Sequence, residues 1–203
     1  MKNRKGFTLV ELLAVIVILG VLLGILIPVV SNYINNSRKS GFVASAKEFA
    51  DSVKHDATEG DFQQPIQKND VTIVTLDKSA IQNKKEKSSF GGEYLYNQSY
   101  VAIINIGDGT NPEYKYFVSL QDSKNYAIPL TARDELDNDD VVVARNKMEV
   151  TIQSLCGTDE GKVEASVSNI SGLQDYQPVG DNGAKMPWNV TIYSTEDCGK
   201  TND

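Results

Sequence analysis

Hydrophobic and polar positions divide this chain into an apolar N-terminal run and a longer mixed region. Phe7 to Val30 is a run of 24 residues whose only charge is Glu11, and no charged residue occurs from 12 to 37. As a helix rising about 1.5 Å per residue, the run would be about 36 Å long, which exceeds a hydrocarbon core of about 30 Å. We therefore predict a membrane-spanning helix over residues 7–30.

A second pattern follows over residues 31–60, where apolar side chains recur at helical spacing. They are Phe42, Ala46, Phe49, Val53 and Ala57, with charged residues on the other faces. This pattern is typical of an amphipathic helix with one buried face. We predict that residues 7–59 form one helix that ends at Gly60, with the Asn-rich stretch 31–40 as its weak point.

Beyond Gln63 the pattern changes to short runs rich in Val, Ile and Tyr, separated by turn-forming segments at 107–112 and 121–125. Such runs predict an antiparallel meander. The four clearest runs are Val71–Leu76, Tyr100–Ile106, Tyr114–Leu120 and Tyr126–Leu130, and weaker ones lie at 141–143, 148–152, 164–167 and 189–193. The predicted fold class is α+β: a long N-terminal α-helix packed on an antiparallel β-sheet head of residues 61–203.

Charge fixes the orientation of the predicted span. Lys2, Arg4 and Lys5 precede it with no acidic residue among them. By the positive-inside rule this end stays in the cytoplasm, although Arg38 and Lys39 beyond the span weaken the bias. The head is therefore expected to be exported.

The net charge of −7 argues against nucleic-acid binding as the main function, because such proteins present basic surfaces. Without the first six residues, 17 basic against 27 acidic residues would leave −10. His55 is the single histidine and falls on the polar side of the predicted helix. No histidine-based catalytic site is evident, so we predict a protein that is not an enzyme and has no cofactor.

An acidic cluster at Asp134, Glu135, Asp137, Asp139 and Asp140 has two interpretations, a calcium site and a solvated loop. An EF-hand that began at Asp137 would place Val142 at the turn glycine and Met148 at the bidentate glutamate. We therefore favour the solvated loop and predict no metal site.

Glu11 distinguishes three interpretations of the apolar run: a cleaved secretory signal, a plain anchor, and a segment that is processed and reused. A carboxylate within an apolar helix is costly and tends to mark function. A cut between Gly6 and Phe7 would create an ammonium four residues before Glu11, and this ammonium could pair with the carboxylate of a neighbouring helix. The carboxylate could instead interact locally with its own helix N-terminus.

The stretch Lys5-Gly6-Phe7-Thr8-Leu9-Val10-Glu11-Leu12 resembles the class III signal of type IV prepilins and pseudopilins. The resemblance covers about the first 30 residues. It implies that residues 1–6 are a cleaved leader, that Gly6 precedes the scissile bond, and that Phe7 becomes an N-methylated terminus. Glu11 would then be the assembly carboxylate.

Gly20, Gly24 and Pro28 lie within the predicted span. Gly20 and Gly24 form a small-xxx-small pair, and Pro28 removes a backbone donor. Together they predict a weak stretch of helix, with ordinary transmembrane packing as the alternative. Gly20 and Pro28 also fit the family pattern, which implies a loss of helical order on assembly.

The two cysteines, Cys156 and Cys198, lie in the last quarter of the chain. In an exported protein an even count suggests one disulfide, with two unpaired buried thiols as the alternative. A disulfide near the C-terminus is also what the resemblance to pilins implies.

The resemblance implies a structural subunit of an extracellular type IV pilus that serves adhesion, motility, aggregation or DNA uptake. The implied partners are copies of the same chain, prepilin peptidase, the pilus assembly machinery and membrane lipid before assembly. The alternative functions are a pseudopilin of a type II secretion or competence system, and a simple membrane-anchored binding domain. The large head favours the pilus, and Glu11 disfavours the simple anchor.

Overall fold

The computed structural model describes residues 8–76, 87–96, 98–107, 110–143 and 162–193, with the backbone alone for 162–165. Short 3₁₀ turns occur at Asn138–Asp140 and Gln174–Tyr176. The helix and strands are α1 (Leu9–Glu59), β1 (Asp70–Thr75), β2 (Tyr100–Asn105), β3 (Tyr114–Gln121), β4 (Tyr126–Ala132), β5 (Val142–Val143), β6 (Lys162–Val167) and β7 (Trp188–Tyr193). The strand predicted at 148–152 lies outside the described residues.

The predicted end of α1 at Gly60 is confirmed. Gly60 has φ +93°, a left-handed conformation that costs glycine nothing because it lacks a Cβ. The next amide, of Asp61, donates to the carbonyl of Asp56 at 3.1 Å, which is the bond of a Schellman motif. The helix runs without a break through the Asn-rich stretch that was predicted to be weak.

From residue 39 onward, α1 packs on one face of the sheet, and the α+β fold class is confirmed. The predicted core positions of this part, Phe42, Ala46, Phe49, Val53 and Ala57, are all buried. They share one core with alternating side chains of the central strands, including Val101 and Ile103 of β2 and Val118 and Leu120 of β3. Residues spaced three or four apart on α1 and alternate residues on the strands therefore form one apolar core.

The seven strands lie in the order β5-β4-β3-β2-β1-β7-β6. The pairs from β1 to β5 are antiparallel, which confirms the predicted meander, and β6 is antiparallel to β7. However, β7 runs parallel to β1, with Asp70 opposite Asn189. The sheet is therefore mixed, whereas the sequence predicted a wholly antiparallel one.

The second face of the sheet carries a separate core in which Ile170 and Leu173, from the segment between β6 and β7, pack with Val71, Ile104 and Trp188. β6 ends and β7 begins at the same end of the sheet, where Val167 lies opposite Trp188, and β7 then runs in the direction of β1. The sheet is thus buried on both faces, by α1 and by an irregular segment.

Arg133, which follows β4, anchors the second half of α1. Its Nε and Nη2 donate to the two carboxylate oxygens of Asp51 at 2.9 and 2.7 Å, and its Nη1 donates to Asp134 at 3.0 Å. The hydrogen bonds from the guanidinium to Asp51 and then Asp134 raise the pKa of Arg133 above its ordinary value. A bidentate pair of this kind fixes orientation as well as distance.

Candidate functional site

Thr8 and Glu11 form a closed unit at the start of α1. The Thr8 amide and the Thr8 hydroxyl both donate to Oε2 of Glu11, each at 2.8 Å. In return, the Glu11 amide donates to Oγ1 of Thr8 at 3.3 Å. This reciprocal arrangement is a capping box, which satisfies amides that the first turn of a helix leaves without partners. The carboxylate therefore occupies the local position that sequence reasoning left open as the alternative to pairing.

Oε1 of Glu11 accepts no hydrogen bond from any residue that the structure describes. One carboxylate oxygen thus holds the helix start, and the other is available to a donor from outside this part of the chain. A carboxylate can serve both, because its two oxygens together offer about four lone-pair sites.

Sequence reasoning assigned no role to Thr8. The signal was present in the sequence, since Thr8-x-x-Glu11 directly before an apolar run has the spacing of a capping box.

The helix surface that follows is apolar and open to solvent on all sides. Every residue from 8 to 38 is exposed, and α1 is long and apolar enough to cross a membrane. The exposed fraction is 81% for Leu9, 63% for Ile25 and 60% for Val29. A soluble surface does not carry an apolar area of this size, so this surface requires lipid or protein around it.

Gly20, Gly24 and Pro28 lie within this exposed helix. A Cβ added at either glycine would meet no atom within 4 Å beyond its nearest neighbours in the helix, so nothing in the described chain requires a small residue there. Pro28 lies inside α1, where its missing N–H leaves the carbonyl one turn earlier without the usual donor. The helix nevertheless continues through Pro28 in this structure.

Gly6, Phe7, Cys156 and Cys198 lie outside the described residues. The nearest described positions to the cysteines are in the β6–β7 pair. Lys162, which is six residues after Cys156, lies opposite Tyr193, which is five residues before Cys198.

The acidic cluster of the head forms its own local bonds. Asp137 and Asp140 form a capping box around a 3₁₀ turn, with Asp139 N donating to Asp137 at 2.7 Å and Asp137 N to Asp140 at 2.8 Å. Glu135 accepts from Lys115 at 2.9 Å. Among the described residues, no group of three acidic, histidine or cysteine side chains is placed to hold a metal ion.

His55 lies on the exposed face of α1, as predicted. Its side chain is 63% exposed and lies 3.6 Å from Glu59, one turn along the helix. Its other ring nitrogen lies 4.0 Å from a carboxylate oxygen of Asp56.

A family model for the prokaryotic N-terminal methylation motif matches residues 1–27. The chain carries the class III signal of type IV pilins and pseudopilins. The matched range of this pilin-type signal contains Gly6, Phe7, Glu11, Gly20 and Gly24, and it ends directly before Pro28. The motif indicates a structural subunit of the pilin or pseudopilin kind, with a membrane-anchored precursor.

The family match covers residues 1–27 and does not reach the head. A comparison with solved structures found no match for the chain.

Proposed function

We propose that this protein is a structural subunit of an extracellular type IV pilus, cut by prepilin peptidase between Gly6 and Phe7 and methylated on Phe7. The mature chain stays in the membrane until the assembly machinery draws it into a homopolymer held together by the N-terminal helices. The filament would serve adhesion, motility, aggregation or DNA uptake.

One observation carries this proposal: the methylation motif leads directly into a helix exposed on every side that begins with an ordered carboxylate. A plain anchor needs the apolar surface and could use Glu11 only as a local helix cap. A subunit that exchanges lipid for sister helices needs both, because packing alone leaves the axial register of smooth apolar helices weakly defined.

The capping box suggests how register is set. Thr8 holds one oxygen of Glu11 at the helix start, and the other can accept the Phe7 ammonium of an incoming subunit. In the low dielectric among packed helices either charge alone is costly, so the pair favours one axial position. The local cap makes the carboxylate tolerable in the membrane before a partner arrives.

Gly20, Gly24 and Pro28 are proposed to weaken the helix after assembly. Two glycines and a proline within nine residues lower helix stability by roughly 1 kcal/mol per glycine and about 3 kcal/mol for the proline, relative to alanine. Contacts between sister helices could then favour an extended stretch, which would let the filament lengthen under load.

The test is electron microscopy of filaments sheared from the cell surface, with intact-mass analysis of their main subunit. We expect long surface filaments composed of this chain, starting at N-methylated Phe7. The same mature chain confined to the envelope, with no surface filament, would favour a pseudopilin of a secretion or competence system. A start beyond residue 30 would identify an ordinary cleaved signal and overturn both assignments.

A further inference from the structure

An open groove of about 540 Å³ lies between the second half of α1 and the segment that joins β4 to β5. Its apolar part is formed by Val43, Ala44 and Leu136, and its rim by the charged residues Lys47, Asp137 and Asp139. This volume lies within the range of roughly 300–1,000 Å³ typical of ligand sites. Ala44 is exposed at the groove, although its neighbours Phe42, Val43, Ser45 and Ala46 are buried.

A small hairpin, residues 178–186, protrudes from the head directly before β7. Val179 pairs with Lys185, and the amide of Met186 donates to the carbonyl of Pro178 at 2.9 Å. The turn is closed by Gly183, whose φ of +77° is the left-handed conformation that glycine adopts freely. At the base, Gln177 donates to the carbonyls of Ser168 and Met186 at 2.9 and 2.7 Å.

This hairpin is well held at its base and exposed at its tip. All residues from 181 to 187 are exposed, and Val179 and Met186 are 60% and 39% exposed. They are two of the four large hydrophobic side chains exposed in the described part of the chain beyond residue 38. An ordered element that leaves apolar side chains in solvent has already lost the conformational freedom that binding would otherwise cost.

The hairpin and the groove lie toward opposite edges of the sheet. The hairpin precedes β7, beside the β6 edge, and the groove adjoins the β4–β5 connection at the other edge. A contact between the two therefore joins two different surfaces of two copies. Such a heterologous contact repeats without closing when its rotation does not close a ring, and it then generates a filament.

The charges of the two surfaces are complementary. Lys185 of the hairpin can face Asp137 and Asp139 of the groove, and Asp181 can face Lys47. The chain as a whole carries −7, so most approaches between two copies bring acidic surfaces together. A contact that is apolar at its centre and has opposite charges at its rim avoids this repulsion.

We propose that hairpin 178–186 of one copy inserts into the groove beside Ala44 of the next copy and forms a second, head-to-head interface in the filament. This inference rests on the proposed function, because it names a further contact made by the same homopolymer. It differs from the contact between the apolar helices in that it uses only residues from 39 onward.

Charge reversal tests the interface in the full-length chain. Lys185→Glu and Asp139→Lys each place like charges together, and we expect each to reduce the yield of sheared filaments several-fold. The double variant restores opposite charges and should recover most of the yield. Lys68→Glu reverses an equally exposed lysine outside both surfaces and should leave the yield unchanged.

The folded state of each variant is checked by thermal unfolding of the detergent-solubilised chain, which should be unaltered because both side chains are exposed. Normal filament yield in both single variants would overturn the interface. A loss in both without recovery in the double variant would overturn it as well. If wild-type cells form no filaments of this chain, the proposed function fails first and this inference fails with it.

Crosslinking identifies the occupant of the groove. Ala44→Cys with Val179→Cys, treated with a short bismaleimide in intact filaments, should give a ladder of multimers on a denaturing gel. Each single variant should remain monomeric, because a heterologous contact never places a residue against its own copy. Dimers from one single variant, or a product that joins Ala44→Cys to a chain of different mass, would overturn the proposal.

Discussion

The two halves of α1 have the same backbone and opposite surroundings. Residues 8–38 bury no side chain, whereas the part from residue 39 to Glu59 buries nine. From Leu12 to Val30 the first half is apolar all round its axis, and the second half has one apolar face opposite charged residues such as Glu48 and Asp51. The difference shows that a helix can be specified for partners in its own chain or for partners outside it.

The second half is stabilised by the head alone, through a core that closes around Phe42 and Phe49. The first half has no such core, since every residue from 8 to 38 is exposed, and in the proposed function lipid or sister chains surround it. Substitutions in the first half should therefore alter assembly and leave the head intact. Substitutions in the second half should alter the head.

The largest effect is expected at the processing site. Replacing Gly6 with a bulky residue, as in Gly6→Leu, should leave the precursor uncut, because a side chain would crowd the scissile bond. The precursor would stay in the membrane and form no filament, while its head folds normally. Immunoblots of membrane fractions measure this as a single uncut band, and a mature band of normal intensity would contradict it.

Glu11→Ala should remove filaments while leaving a trimmed subunit in the membrane. Loss of one partner of a buried ion pair costs about 3–5 kcal/mol, which at every joint of the polymer strongly disfavours growth. The measurement is a count of sheared filaments beside an immunoblot of mature subunit.

Glu11→Gln is the matched control, since its amide keeps an acceptor oxygen, and its defect should be milder. Normal filament numbers in the alanine variant would mean that apolar packing alone sets the register. In that case the first half would need its partners only for their apolar surface.

Phe49→Ala should affect the second half of α1 and the head on which it packs. Phe49 is fully buried and its ring centroid lies 5.4 Å from that of Tyr94, so truncation should lower the free energy of unfolding of the head by about 3–5 kcal/mol. Tyr33→Ala is the control on the same helix, because Tyr33 is 76% exposed. Denaturant unfolding in detergent should show a loss of stability for Phe49→Ala and none for Tyr33→Ala. Equal losses in free energy of unfolding would contradict the division of α1 into two halves.

The helix and the meander could be predicted because their patterns are local. The spacing from Phe42 to Ala57 and the glycine at 60 determine one face and one end of α1, and both are confirmed. The parallel position of β7 could not be predicted in this way, since it is a pairing between residues more than 100 positions apart. The nearly unbroken apolar run of β2 was the available sign that both faces of the sheet are buried there.

The candidate site was predictable to a different degree at each residue. Glu11 is conspicuous because a lone charge in an apolar run is costly, and the family motif then placed it in a known signal. Thr8 was missed, although Thr8-x-x-Glu11 directly before an apolar run has the spacing of a capping box. The hairpin at 178–186 and the groove beside Ala44 depend on tertiary structure, and neither has a motif in the sequence.

The next prediction concerns Cys156 and Cys198, which we expect to be joined. The described residues nearest to them along the chain, Lys162 and Tyr193, lie opposite each other in the β6–β7 pair. Reduction should therefore lower the free energy of unfolding of the head by a few kcal/mol, typical of a native disulfide, and leave the first half of α1 unaffected. Non-reducing peptide mapping of purified filaments checks the bond, and two free thiols would disprove it.

The smallest effect is expected for Thr8→Ala. Loss of an N-cap hydroxyl typically costs about 1 kcal/mol, so amide exchange in the first turn, Leu9 to Glu11, should rise about fivefold in detergent micelles. Thr8→Ser keeps the hydroxyl and should keep the protection. The head should be unchanged in both variants, because Thr8 makes no contact with it among the described bonds.

The same substitution tests whether Thr8 acts through Glu11. If Thr8 positions the carboxylate for the incoming ammonium, Thr8→Ala should reduce filament number moderately on its own and have no further effect when Glu11 is already alanine. The four filament counts of this double-mutant cycle decide the question. Additive losses would mean that Thr8 stabilises only the helix start, and that the first half of α1 contacts its partners through Glu11 without help from the cap.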